Sequence, residues 1–208
     1  MKVNEIFYSI EGEGIRAGAP AAFIRFSGCN LRCSYCDTAY AFYDGKEMSE
    51  DDIVKKVCEI GCKNITVTGG EPLLQGIGVI RTLCEKGFNV NIETNGSIDI
   101  ESVQLENSIV TMDYKTPSSN MEHKMLLSNI HKLRECDVLK FVCTEKDFDV
   151  IRDIYNTSYP ACTIFLSPVF ERCSLVKLAD FVKEINDSRV RVQMQLHKII
   201  WKPDERGV

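Results

Sequence analysis

The chain has 208 residues, 44% of them hydrophobic and 26% charged, which is enough to bury one sizeable core and predicts a single domain over residues 1–208. No apolar run approaches the roughly 18 residues that cross a bilayer, and residues 1–14 lack the basic, apolar and small-residue pattern of a secretory signal, so a cytoplasmic protein is expected. Lys and Arg number 25 against 30 Asp and Glu, a net charge of −5 without a long basic block. Nucleic acid and membrane are therefore disfavoured as partners, and small molecules come first.

In chain order, the first strand-like run is Ala21 to Phe26. The capping box Ser49-Glu50-Asp51-Asp52 then opens a helix carrying Ile53, Val57 and Ile60 at helical spacing. Strands are predicted over Asn64 to Thr68, Phe88 to Glu93, Ile109 to Tyr114 and Val138 to Cys143. Thr144-Glu145-Lys146-Asp147 opens a second helix with Ile151, Ile154 and Tyr155. A strand at Cys162 to Leu166, a helix marked by Leu175, Leu178, Val182 and Ile185, and a strand at Val190 to Leu196 complete the pattern. Near-continuous apolar strands alternating with amphipathic helices imply an α/β fold with parallel strands and crossover helices. A closed eight-fold barrel needs about 250 residues, so a partial, open (β/α) barrel is expected. In such a barrel the chemistry sits at the C-terminal ends of the strands. The segments CNLRCSYC, TGGEP, ETNGS and DYKTPSS follow the first four predicted strands and converge there. No GxGxxG fingerprint of a doubly wound nucleotide fold is present.

Ten cysteines in a chain expected to be cytoplasmic argue for metal or chemistry rather than disulfides. Cys29, Cys33 and Cys36 form a C-x3-C-x2-C cluster, while Cys58, Cys62, Cys84, Cys136, Cys143, Cys162 and Cys173 are scattered and read as buried free thiols. Three thiolates are one short of a closed four-cysteine site, so a [4Fe-4S] cluster held this way keeps one iron open to a chelating molecule. The alternative is a structural zinc site completed by Cys58 or Cys62.

Cys29-Asn30-Leu31-Arg32-Cys33-Ser34-Tyr35-Cys36, followed after the next strand by Thr68-Gly69-Gly70-Glu71-Pro72, resembles the radical S-adenosylmethionine superfamily. The resemblance implies a [4Fe-4S] cluster on Cys29, Cys33 and Cys36, with S-adenosylmethionine chelating the open iron. It places Gly69, Gly70 and Glu71 at the methionine amino group and Tyr35 near adenine; TGGEP by itself reads as a turn. Glu5 to Gly14, Phe23-Ile24-Arg25-Phe26, Cys36-Asp37-Thr38, Glu93-Thr94-Asn95-Gly96 and Gln195-Leu196-His197-Lys198 extend the resemblance nearly end to end to the 7-carboxy-7-deazaguanine synthases. That family implies a homodimer, an external donor such as flavodoxin or ferredoxin, and Mg2+ as a second metal. Its reaction converts 6-carboxy-5,6,7,8-tetrahydropterin to 7-carboxy-7-deazaguanine with loss of ammonia, towards queuosine.

Physical roles can be weighed beside these. Arg25 offers a planar bidentate fork for a substrate carboxylate, against a surface ion pair. The backbone of Ile10, Glu11, Gly12 and Glu13 is expected to face the pterin with Thr68 nearby, against a flexible turn. The resemblance puts Mg2+ on Thr38 and lets Asp37 reach the cofactor, where loop capping is the alternative. Glu93 and Asn95 suit ribose hydroxyls or a sulfonium, or serve as turn formers. Where many family members carry Ser-Pro-Lys, this chain has Asp113-Tyr114-Lys115, and Ser167-Pro168-Val169-Phe170 occupies a further cofactor-contact stretch. The tail from Trp201 through Pro203 to Val208 is assigned no contact, and His123 and His131 read as ordinary helix positions. Two rivals are an activating enzyme that makes a glycyl radical on a protein partner and a non-catalytic metal or electron-transfer module.

Overall fold

The structure, a computed structural model, describes residues 1–202 and 205–208; Pro203 lies outside them. A nine-stranded sheet runs through it, formed by β1 (Lys2–Ile10), β2 (Pro20–Phe26), β3 (Lys46–Glu47), β4 (Asn64–Gly69), β5 (Asn89–Thr94), β6 (Ser108–Tyr114), β7 (Val138–Cys143), β8 (Thr163–Pro168) and β9 (Val190–Val192). Their spatial order is β3-β1-β2-β4-β5-β6-β7-β8-β9, and every pairing from β2 to β9 is parallel. The seven expected strands thus form the parallel part, and the end strands β3 and β9 do not meet, leaving the barrel open. The strands β1 and β3, which the apolar-run reading leaves out, add an antiparallel edge. β1 is only half-buried, and it is held by cross-strand contacts such as Phe7 stacked on Phe23 at 4.9 Å.

Helices α1 (Glu50–Ile60), α2 (Ile77–Glu85), α3 (Ser128–Lys132), α4 (Phe148–Ser158) and α5 (Leu175–Ile185) connect the parallel strands, and α6 (Leu196–Ile200) ends the series. Ser49 caps α1 by accepting from the Asp52 amide, as its capping box predicts, and Thr144 with Asp147 forms a capping box one turn before α4. The helix α2 carries no such signature because its N-cap is Gly76.

Period-two alternation divides the sheet into two faces. Ile24, Ile65, Val67, Ile92, Val110, Met112, Leu139 and Phe141 join Ile53, Val57, Ile80, Leu83 and Phe181 of the helices in one apolar core. Arg25, Thr66, Thr68, Asn91, Glu93, Thr111, Asp113 and Lys140 occupy the alternate positions, so the inner face is polar. The last predicted strand is too long. The strand ends at Val192: the Gln193 amide still donates to the Leu166 carbonyl at 2.9 Å, but its side chain turns to clamp Gly14 through both its amide donor and its acceptor. The Leu196 amide then donates to the Gly12 carbonyl, leading into α6. Cys84, Cys143 and Cys162 are buried, but Cys58 and Cys136 are exposed; these two lie on solvent-facing surfaces, which corrects the expectation that all seven scattered thiols are buried. His131 lies in α3, and His123 in a one-turn 3-10 helix. No helix among the described residues is long and apolar enough to cross a membrane.

Candidate active site

The polar inner face opens into a cavity of about 840 Å³ whose lining runs from β2 through β7, at the upper end of the range for small-molecule sites. Cys29, Cys33 and Cys36, all half-buried, stand at its wall in the loop after β2. Burial pushes the Cys33 thiol up to about 11. The loop is fastened on three sides. Ser34 donates to the carbonyls of Ser118 and Ser119, Asn30 accepts from Asn95 at 3.0 Å, and the Glu71 amide donates to the Gly28 carbonyl at 2.8 Å. Tyr35 lines the cavity with its hydroxyl on the Val142 carbonyl at 2.9 Å.

Gly69 and Gly70 line the cavity, but Glu71 does not. Its fully buried carboxylate accepts from the amides of Leu73 and Asn95 and from the Thr94 hydroxyl, at 2.7 to 3.0 Å. The Glu71 side chain thus braces the turn beneath the glycines. A Cβ on Gly70 would meet the Gly28 carbonyl oxygen at 2.0 Å, next to Cys29. Gly70→Ala is expected to cost about 1–3 kcal/mol and to displace the cysteine loop. Urea unfolding and iron content check it, and wild-type values for both would show that the loop tolerates the methyl group.

The segment Ile10 to Glu13 enters from the opposite end, since β1 is antiparallel to β2, and forms the floor. Glu11 Oε1 accepts from Arg16 at 2.7 Å and from the Thr66 hydroxyl, and Arg16 also spans the carbonyls of Ile65 and Asn89. Burial, then the nearby Glu93 charge, push the Glu11 carboxyl up to about 7. Gly12 is pressed by His197, whose ring would lie 2.2 Å from an added Cβ, so this stretch is a packed floor rather than a flexible turn. Glu13 pairs with Lys140 at 2.6 Å. Burial alone would raise its carboxyl, but the Lys140 charge holds it below the usual range.

Arg25 is mostly buried, with Nε on Glu5 Oε1 at 2.7 Å and its guanidinium beside Phe7 and Tyr40. No protein partner takes its Nη atoms among the described residues, and the residue lines the cavity. The ion pair therefore orients the fork rather than consuming it. Thr68 donates to Glu93 at 2.8 Å, and both line the cavity with Asn95, Asp113 and Lys115. Lys115 bonds Asp113 at 2.9 Å. Asp37 pairs with Lys198 at 2.8 Å and accepts from the Thr38 hydroxyl at 2.9 Å. Val169 and Phe170 reach the cavity. Tyr114, Ser167 and Pro168 do not: Tyr114 points into the core against Phe141, and Ser167 and Pro168 are buried in β8. Lys140, His197 and the tail residues Lys202 and Glu205 to Val208 also line the cavity, and none of them has a site role expected from the sequence. The signal for Lys140 was a lysine inside the apolar run VLKFVC.

The residues present fit the implied cluster and cofactor. Three thiols of one loop share a cavity with two buried, unpartnered acceptors, Glu13 Oε1 and Asp113 Oδ1, that suit a ligand rich in N–H donors. The zinc alternative does not fit. Cys58 sits exposed on α1, and Cys62 donates to the Pro20 carbonyl at the far end of β2, about 20 Å from the loop. Among the described residues, no three His, Cys, Asp or Glu side chains are grouped to hold a single ion.

Residues 23–145 match the radical SAM superfamily. A 7-carboxy-7-deazaguanine synthase of Clostridium acetobutylicum is 43% identical, over 100% of this chain and 99% of its own length. One of Chlorobaculum tepidum is 38% identical over 100% and 97%. Among solved structures, QueE from Escherichia coli matches with a TM-score of 0.73 at 22% identity over 93% of each chain. SuiB of Streptococcus suis bound to its precursor peptide matches with 0.60 at 14% identity, over 83% of this chain and 47% of that one. Both structures share the fold.

Proposed function

The chain belongs to the radical S-adenosylmethionine superfamily and, within it, to the 7-carboxy-7-deazaguanine synthase family, and on that premise we propose that it converts 6-carboxy-5,6,7,8-tetrahydropterin to 7-carboxy-7-deazaguanine with loss of ammonia, towards queuosine and related 7-deazapurines. The carrying observation is that one cavity holds both the three-thiol loop and the open end of Arg25. A glycyl-radical activating enzyme is not favoured, because full-length relatives carry the synthase name. A cytoplasmic homodimer of one domain per chain completes the reading.

Cys29, Cys33 and Cys36 would hold the cluster, with Gly69, Gly70, Tyr35, Asp37, Glu93, Asn95, Asp113, Lys115, Val169 and Phe170 around S-adenosylmethionine. When bound, this pair supplies a carbon-centred radical by one-electron cleavage of the sulfonium. The chain's own work is to seat the pterin. Arg25 holds the carboxylate in a charge-assisted contact, the Ile10 to Glu13 floor and Thr68 fix the ring edge, and the packed walls exclude water.

Anaerobic reconstitution followed by measurement of 5'-deoxyadenosine and product, with and without the pterin, tests the assignment. Release of 5'-deoxyadenosine with no product at any pterin concentration would overturn it. Arg25→Ala is expected to weaken pterin binding by about 1.5–3 kcal/mol while sparing S-adenosylmethionine, and Arg25→Lys should recover little. Titration of both ligands decides this; unchanged pterin affinity would make Arg25 a structural partner of Glu5. We place Mg2+ on the Thr38 hydroxyl and substrate oxygens, since magnesium prefers hard oxygen ligands. Thr38→Val should then lower turnover sharply and Thr38→Ser should retain it, measured against magnesium concentration. Full, magnesium-independent turnover by the valine variant would remove the metal from that site.

A further inference from the structure

We propose that Arg206 is a second cation of the carboxylate subsite: stacked on Tyr40 at the rim of the cavity, it holds the substrate carboxylate together with Arg25 and sets the preference for a carboxylated ring. The proposal rests on the pterin reading above and names the residue that completes its anionic end.

A series of ties leads the tail to this place. The Leu196 amide donates to the Gly12 carbonyl at 3.0 Å, Lys198 pairs with Asp37 at 2.8 Å, and the Trp201 amide donates to the His197 carbonyl at 3.1 Å. Beyond α6 the Glu205 amide donates to the Lys202 carbonyl at 3.0 Å, and Lys202 and Arg206 both line the cavity. The tail is thus fastened to the floor and to the end of the cysteine loop before it reaches Tyr40.

Tyr40 lies in the one-turn 3-10 helix Ala39–Phe42, two residues beyond Thr38. The guanidinium carbon of Arg206 is 3.9 Å from the centre of its ring, and that of Arg25 is 5.9 Å from the same ring. A planar guanidinium laid on an aromatic ring keeps its N–H edge free for a carboxylate, and the stacking limits the side-chain freedom lost when that carboxylate binds. The Tyr40 hydroxyl donates to Glu5 Oε1 at 3.0 Å, the oxygen that also accepts from Arg25 Nε. Burial pushes this hydroxyl up to about 12, so Tyr40 brings no charge of its own.

Charge balance assigns the ligand. Glu5 offsets Arg25, so this pair alone offers an arriving anion an oriented fork but little net field. Arg206 adds a positive charge, and among the described residues no carboxylate is paired with it. One unbalanced cation beside an oriented fork matches a single carboxylate. Because Arg206 is exposed, its attraction reaches into solvent and is screened by salt.

The test compares two ligands on the reconstituted holoenzyme with S-adenosylmethionine present: 6-carboxy-5,6,7,8-tetrahydropterin, and 6-methyl-5,6,7,8-tetrahydropterin, which keeps the ring and lacks the carboxylate. Anaerobic equilibrium dialysis gives both affinities. Arg206→Gln should weaken binding of the carboxylated ligand about three- to tenfold at low ionic strength and leave that of the methyl ligand unchanged, raising KM for the substrate more than it lowers kcat. Arg206→Lys keeps the charge and a contact with the Tyr40 ring, and should restore part of the loss. In the wild type the preference for the carboxylated ligand should fall as salt is added, and in Arg206→Gln it should be smaller and flatter with salt. Equal weakening of both ligands by Arg206→Gln would make the residue a cover over the ring, and wild-type affinity for both would make it a surface residue; either result overturns the proposal alone. A wild-type holoenzyme that binds neither ligand, or both alike, would instead overturn the reading of the site it rests on.

Discussion

Cys33→Ala is expected to abolish cluster assembly, reducing iron content and visible absorbance after anaerobic reconstitution to background, and with them all release of 5'-deoxyadenosine. Cys29→Ala and Cys36→Ala should do the same. The reason is arithmetic as much as geometry: three thiols line the cavity, no other cysteine does, and a [4Fe-4S] cluster with two protein ligands has no third anchor nearby. Cys84→Ala and Cys173→Ala supply the contrast. Cys84 is buried on α2 in the apolar core and Cys173 stands just before α5. Neither shares a wall with the three, so both variants should load iron normally. Retention of wild-type cluster content by Cys33→Ala would sink the ligand assignment.

The parallel sheet was legible because strands covered by helices read as apolar runs, and the motifs were legible because each follows a strand end. What stayed hidden depends on which way alternate side chains point. Lys140 looks like an interruption of an apolar strand until the curvature of the sheet turns it inwards to Glu13, 127 residues away in sequence. Gln193 likewise reads as one more strand residue, yet it clamps Gly14 across 179 residues and ends the strand early. Glu71 carries the motif, yet its carboxylate is taken up by the Leu73 and Asn95 amides of the turn it caps. Local spacing records periodicity and loop chemistry. It does not record which distant group fills the opposite position, and the floor of this site is made almost entirely of such pairs.

Lys140→Met is expected to destabilise the protein by about 3–5 kcal/mol at neutral pH, because it removes the cation from a buried pair and leaves the carboxylate behind. Lys140 and Glu13 are 8% and 10% exposed, and Lys140 also lies 3.6 Å from Asp113. Asp113 would keep Lys115 at 2.9 Å, whereas Glu13, one of whose oxygens already has no partner, would lose its only ion pair among the described residues. The pH dependence follows in sign. In the wild type the Glu13 carboxyl is lowered: burial opposes this, but Lys140 outweighs it, so its contribution is present above the unfolded value near 4.3 and is lost only as pH falls through the folded one. The Lys140 ammonium is raised despite burial, by Glu13 and then Asp113, so its contribution is present below about 10.4 and lost only as pH rises through the folded value. Between about pH 5 and 10 the pair therefore adds no slope. Without Lys140, burial is the largest influence on Glu13 and raises its carboxyl against the smaller pulls of His197 and Gln195, so protonation favours the folded state and the deficit should shrink as pH falls from 8 to 5. Urea unfolding of both proteins at the two pH values measures this, and adding Glu13→Gln to Lys140→Met should recover part of the loss by removing the stranded charge. A deficit equal at pH 5 and pH 8, with no recovery in the double variant, would mean that Lys140 contributes packing alone.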